Sequence, residues 1–251
     1  MSVRIINGKV YKNGAFSEEE LVLKEGKIVS AQDGDAEEVY DAKGNYVVPG
    51  FIDVHTHGGA GVDVNAADQQ GFEKIGHFFA TQGTTSWLSS ILTDTKEQTL
   101  KTIKEAVKHQ EAQKNGHENC ADLLGIHLEG PFLSPEYKGA MPEHLLISPD
   151  LDLLKEKMQE ADIFCDATGV GMHPLEDLSN IPDTSFFRPD LIVTDTVYAP
   201  RETVMMKQAK EAGCTRVYNG MSMMLFQALI AIELYTGKST DVEYMKEQLG
   251  I

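Results

Sequence analysis

The amino-acid sequence predicts an α/β fold, and two observations carry that prediction. From Phe51 onward, short apolar strands alternate with stretches of helical period, separated by Gly, Pro, Asn and Asp turn signals, which is the pattern of parallel βα units as in a barrel. Before Phe51 the hydrophobic period is two, so a small all-β segment precedes those units. The 251 residues suffice for one large domain or two small ones.

Residues 3 to 48 contain the runs R-I-I-N-G-K-V-Y, E-L-V-L-K-E-G-K-I-V-S and N-Y-V-V, punctuated by Asn-Gly and Glu-Gly. They read as strands of a small antiparallel sheet joined by tight turns. The stretch V-P-G-F-I-D-V-H-T-H-G-G-A-G at 48 to 61 is then a turn, a strand from Phe51 to Val54 and two histidines at its end. Alternate strand residues share a face, so His55 and His57 can converge on one ion.

A helix from about Ala66 to Gln82, stopped by Gly83, leads into a strand from Thr84 to Leu92. Asp94 is the expected N-cap of a second helix, from about Thr95 to Gln113, and a strand from Leu123 to Leu128 follows. Glu129 stands at that strand's C-terminal end, where a barrel gathers its ligands. His127 is read as structural, facing away from Glu129's neighbours. Ser148 and Pro149 are the expected N-cap and first turn of a helix with Leu151, Leu154 and Met158 as its apolar stripe.

The remaining chain supplies strands at Ile163 to Ala167 and Leu191 to Val197, a helix ended by Gly213, a short strand at Thr215 to Tyr218 and a long terminal helix. That order is the second half of a dinucleotide-binding α/β unit, with ligand loops at strand ends.

Composition narrows the function classes. Hydrophobic content of 41% and charged content of 24% are those of a soluble globular protein. A net charge of −17 and a pI near 4.8 disfavour nucleic acid as a partner. No apolar run approaches a membrane span and no leader pattern opens the chain, so a cytoplasmic protein with a small-molecule substrate is expected. Cys120, Cys165 and Cys214 are odd in number and widely spaced, which argues against both a disulfide framework and a zinc knuckle.

Two strings carry a family resemblance. P-G-F-I-D-V-H-T-H-G at 49 to 58 resembles the first-strand signature of the amidohydrolase superfamily, and with H-L-E-G-P-F at 127 to 132 it makes residues 1 to about 155 similar to the N-terminal part of the N-acetylglucosamine-6-phosphate deacetylases. The resemblance implies a divalent metal, zinc or iron, on His55, His57 and Glu129. It implies hydrolysis of the N-acetyl group of an amino-sugar phosphate, with Ala140 and Met141 of the K-G-A-M-P loop near the substrate. It also calls for two further histidines and an aspartate acting as general acid and base. After Glu129 only His144 and His173 remain, neither in a matching motif, so no catalytic residue is assigned.

From about Leu154 the chain resembles instead the C-terminal part of shikimate dehydrogenase, through E-A-D-I-F-C-D-A-T-G-V-G-M at 160 to 172, D-L-I-V-T-D-T-V-Y-A-P at 190 to 200 and N-G-M-S-M-M-L-F-Q at 219 to 227. This implies NADP against Thr196 and Gly220, and shikimate against Tyr198 and Gln227. Ser222 stands where a glycine is common in that motif.

The expected layout is therefore a small β-sandwich segment at 1–50, the first βα units of a (β/α)8-type barrel at 51–153, and the C-terminal half of a Rossmann-like unit at 154–251. The expected function is that of a truncated metal-dependent amidohydrolase. A shikimate dehydrogenase remnant and a catalytically inactive chimera are the alternatives.

Overall fold

The computed structural model describes residues 2–30, 36–116 and 118–250. The chain forms two compact units, Met1–Ile147 and Ser148–Ile251.

The first unit opens with strands β1 (Ser2–Lys12), β2 (Ala15–Lys24), β3 (Lys27–Val29), β4 (Glu38–Asp41) and β5 (Tyr46–Val47). Asn13 and Glu25 hold positive φ ahead of Gly14 and Gly26, and the tight turns they make join β1 to β2 and β2 to β3 as antiparallel hairpins. The sheet is not purely antiparallel, however, because β4 and β5 both run parallel to β1. Neither is joined to β1 by a hairpin, so turn chemistry does not set its direction.

Three βα-type strands follow, β6 (Phe51–Thr56), β9 (Thr84–Ile91) and β10 (Asp122–Leu128), with a two-residue ladder of β7 (Gly58–Gly59) and β8 (Val62–Asp63) after the first. They form a parallel sheet in the order β10-β9-β6, which is open rather than a closed barrel. Helices α1 (Gln69–Thr81) and α2 (Lys96–Gln113) connect the strands. Phe72, Ile75, Gly76 and Phe79 of α1 are buried at helical spacing, and they pack with Trp87, Ile91, Leu123 and Ala106 into one core.

Thr95, not Asp94, caps α2, its hydroxyl accepting from the Gln98 N–H. Asp94 is engaged elsewhere, accepting from the Asn65 side-chain amide. Asn65 also exchanges two hydrogen bonds with the backbone of Leu92, while its own carbonyl accepts from Gln98 and Thr102. Asn65 thus ties the turn after β8 to the end of β9 through its side-chain amide and to α2 through its backbone carbonyl.

Ser89 is fully buried and its hydroxyl lacks a hydrogen-bond partner. A buried polar group left unpaired costs about 1–3 kcal/mol, so Ser89→Ala is expected to raise the stability of the first unit by about 1 kcal/mol in urea titrations. A loss of stability would mean that the hydroxyl is satisfied in solution.

In the second unit, α3 (Leu151–Glu160) is capped by Asp150, whose carboxylate accepts from the Leu153 N–H, and not by Ser148. Strands β11 (Ile163–Asp166), β12 (Ile192–Asp195) and β13 (Val217–Tyr218) form a parallel sheet in chain order. Met158, Ile181, Phe186, Phe187, Leu191, Val193, Met205 and Met206 fill its core, the last two from α4 (Val204–Glu211). The terminal helical stretch is two helices, α5 (Met221–Thr236) and α6 (Val242–Leu249), separated where Gly237 turns left-handed at φ 66°. No helix among the described residues is long and apolar enough to cross a membrane.

Candidate metal site

Parallel strands deliver their C-terminal ends to one side of a sheet, so side chains far apart in sequence meet there. In the first unit those ends carry His55 and His57 from β6, Ser90 from β9, and His127 and Glu129 from β10. The pairing of β6 with β9 is irregular between Asp53 and Thr56, and the Asp53 carboxylate accepts from the His55 N–H at 3.0 Å. Glu129 extends the β10 ladder by one bond, its N–H donating to the Ile91 carbonyl. The Thr93 hydroxyl donates to the Glu129 carbonyl at 3.0 Å.

Gly130 follows with φ +90°, and a Cβ there would stand 2.1 Å from Thr93 Oγ1. Only glycine therefore lets the chain leave β10 with Glu129 in this position.

The structure brings together ligand atoms of His55, His57 and Glu129, all within 4.8 Å of one another. Glu129 Oε2 lies 3.7 Å from His55 Nε2 and 3.5 Å from His57 Nε2. Donors about 2.0–2.2 Å from a tetrahedral ion stand about 3.4 Å apart, so the spacing fits one.

Two further observations bear on that fit. His57 Nδ1 lies 3.1 Å from the Ser90 carbonyl, which can only accept, so Nδ1 carries the hydrogen and Nε2 of the neutral ring presents its lone pair to Glu129. Glu129 Oε2 is buried and has no hydrogen-bond partner. A buried carboxylate oxygen that has no hydrogen-bond donor and faces an imidazole lone pair is an arrangement that a cation resolves, and two imidazoles with one carboxylate are a zinc-type donor set. The residues present therefore fit a divalent ion.

His127 is not one of the three converging donors. It lies beside the site, its ring 5.2 Å from that of His55, and its Nδ1 is 3.2 Å from Ser90 Oγ. Residues 127 and 129 are two apart on one strand, and the period of two that places His55 with His57 also places His127 on the Glu129 side. Burial first, then the neighbouring His55, holds His127 below the usual imidazole range.

The remaining predicted residues lie as follows. Ala140 is exposed and Met141 buried, with the Met141 carbonyl accepting from Lys138 Nζ. His144 sits in an exposed single turn at Glu143–Leu145, and His173 pairs with Glu176, so neither joins the three donors.

In the second unit Thr196 and Gly220 are brought together. A Cβ on Gly220 would lie 2.0 Å from the Thr196 carbonyl oxygen, and the Gly220 N–H donates to Val197. Tyr198 and Gln227 are both exposed, Gln227 on α5.

Asp166 and Asp195 face each other across β11 and β12, and both are buried. Asp195 accepts from the Val197 N–H and the Thr203 hydroxyl, but burial outweighs these bonds and pushes its carboxyl above the usual range. A folded-state pKa raised above the unfolded value means that the native state holds more protons in that window. Stability then falls as pH rises through it and stays lower at neutral pH. Asp195→Asn is thus expected to gain stability relative to the parent as pH is raised from about 4 to 7. Equal urea midpoint differences at both ends would refute the assignment.

Comparison with known proteins finds a different similarity for each region. A model of the amidohydrolase family matches residues 38–121. The C-terminal part is similar to shikimate dehydrogenase (NADP(+)) of Streptococcus uberis, at 48% identity over 100 residues, 40% of this chain and 34% of that protein. The enzyme of that name from Streptococcus pyogenes is 45% identical over 101 residues. The chain spans about a third of the length of these curated relatives. Among solved structures, N-acetylglucosamine-6-phosphate deacetylase from Pasteurella multocida has a similar fold, with TM-score 0.59 at 23% identity, covering 86% of this chain and 56% of that one. The Mycobacterium smegmatis deacetylase gives TM-score 0.56 at 20% identity, covering 86% and 55%.

Proposed function

We propose that the first unit binds one divalent cation through His55, His57 and Glu129 and that its chemistry is metal-assisted amide hydrolysis. The substrate class is an N-acetylated amino-sugar phosphate, as the names of the structural neighbours suggest. The observation that carries this reading is the unpartnered, buried Glu129 Oε2 between two imidazole nitrogens. A divalent ion held there would polarise a carbonyl and make water a better nucleophile.

The chain's own residues do the rest. Three protein donors would leave a divalent ion an open position, as catalytic rather than structural sites do. The Ser90 carbonyl holds the His57 ring in its acceptor tautomer. Substrate contact from the K-G-A-M-P loop falls to exposed Ala140 and to backbone, since the Met141 side chain is buried.

Metal analysis of the purified protein tests the reading. About one equivalent of zinc or iron per chain is expected, lost in the His55→Ala/His57→Ala double variant. No metal in either protein would sink it, and metal without deacetylation of an amino-sugar phosphate would leave only the binding half standing.

A second reading has its own observation, the close approach of Gly220 to the Thr196 carbonyl at the ends of β12 and β13, in the region similar to shikimate dehydrogenases. On this reading NADP lies against Thr196 and Gly220, and shikimate against Tyr198 and Gln227. Titration with NADPH, followed by its fluorescence, checks it; unchanged emission at millimolar protein would exclude it. If neither metal nor cofactor binds, the chain is an inactive chimera.

A further inference from the structure

Ser90 is fully buried and touches two histidines with two different groups. Its carbonyl oxygen lies 3.1 Å from His57 Nδ1, and its hydroxyl lies 3.2 Å from His127 Nδ1. The same hydroxyl oxygen accepts from the Thr56 N–H at 3.2 Å.

Hydrogen counting assigns the rings. A carbonyl oxygen can only accept, so the His57 hydrogen is on Nδ1 and its Nε2 is an acceptor. A serine hydroxyl has one hydrogen and two lone pairs, and the Thr56 amide uses one of those lone pairs. His127 Nδ1 is the partner that can take that hydrogen, and a buried O–H pointed elsewhere would forfeit a hydrogen bond. His127 Nδ1 then accepts, and the ring's own hydrogen is on Nε2.

We infer that Ser90 is a positioning residue that gives two neighbouring histidines opposite tautomers, His57 as an Nε2 acceptor and His127 as an Nε2–H donor. The consequence deepens the metal-site reading and rests on it: His57 offers a lone pair to the ion, while His127 stands beside His55 as a hydrogen-bond donor outside the ligand set. This matches the geometry, since the three atoms that converge belong to His55, His57 and Glu129 and not to His127. A donor in that place suits a carbonyl or anionic oxygen of a bound molecule.

The test is long-range 1H–15N correlation of the imidazole rings in chelator-treated, 15N-labelled protein at about pH 8, above the imidazole range. His127→Gln and His57→Gln variants assign the signals. The parent is expected to show a single Nδ1–H pattern for His57 and a single Nε2–H pattern for His127.

In Ser90→Ala the His127 pattern should collapse toward mixed tautomers while His57 keeps its own, because the backbone carbonyl remains. Ser90→Thr, which retains the hydroxyl, should restore it. A general loss of packing would move both rings, so selective loss separates positioning from structure.

An Nδ1–H pattern for His127 in the parent overturns the inference, and so does an unchanged pattern in Ser90→Ala. If the alanine variant does not fold, the parent spectrum decides alone. The spectra use metal-free protein, so a chain that binds no metal would defeat the proposed function while leaving the tautomer assignment to stand or fall separately.

Discussion

Glu129→Gln is expected to weaken zinc binding by at least about a hundredfold, beyond the 10–100-fold typical of losing a residue that merely supports a ligand. The amide keeps the shape of the side chain but exchanges an anionic donor for a neutral one, and it presents an N–H where the ion needs a lone pair. The same change should act oppositely on the metal-free protein. Glu129 Oε2 is buried without a hydrogen-bond partner, whereas a glutamine amide can donate to His57 Nε2.

Calorimetric titration reads the first effect and thermal unfolding the second. A ligand that binds only the native state stabilises it by about 2.7 kcal/mol at a hundred times its dissociation constant. The parent should therefore gain stability with added zinc while the variant, more stable without zinc, gains little. Equal zinc-dependent shifts in the two proteins would remove Glu129 from the site.

Phe72→Ala should be the most damaging single truncation of the first unit. Phe72 is fully buried and packs 6.1 Å, ring to ring, from Trp87, which is equally buried. Removing a core phenylalanine costs about 3–5 kcal/mol, against the 5–15 kcal/mol that holds a typical domain together. Trp87 is the single tryptophan in the sequence, so its fluorescence follows the first unit and is silent about the second. With a urea slope of about 1–3 kcal/mol per molar, the midpoint should drop by more than about 1 M. A smaller shift would mean that α1 is not seated on β9 as the structure has it.

How much of this could be read in advance depended on the range of the interaction. The strand at Phe51, the helices after it and the strand before Glu129 follow from local period, and their ends fall within a few residues of expectation. The convergence of His55 and His57 with Glu129 needed more than period, because these residues are over seventy positions apart; the H-T-H-G and H-L-E-G-P-F strings supplied it.

Where several local choices compete, sequence was a weaker guide. Asp94 and Thr95 are both good caps, and the decision fell to Asn65, a distant partner that occupies Asp94. At the start of α3 the cap is Asp150 and not Ser148. The parallel pairing of β4 and β5 with β1 is a non-local choice that no turn announces.

The place of His127 was legible too, since the strand period of two sets it on the Glu129 side. Ser90 left no such signal. Its role lies in a carbonyl and a hydroxyl that only the assembled sheet points at two rings.

The open strand β6 has a consequence for how this protein behaves as a material. Phe51, Ile52 and Val54 are each at least 60% exposed along it, and β6 pairs only with β9 among the described residues. An uncovered apolar strand is sticky, and mutual repulsion between molecules is what keeps such surfaces apart. Here the repulsion comes from a net charge of −17, which vanishes near pH 4.8. Colloidal stability, unlike fold stability, is thus set by the acid side of the pH scale: suspensions should cloud as pH approaches 4.8 and clear again in alkali, so long as the native sheet survives the excursion.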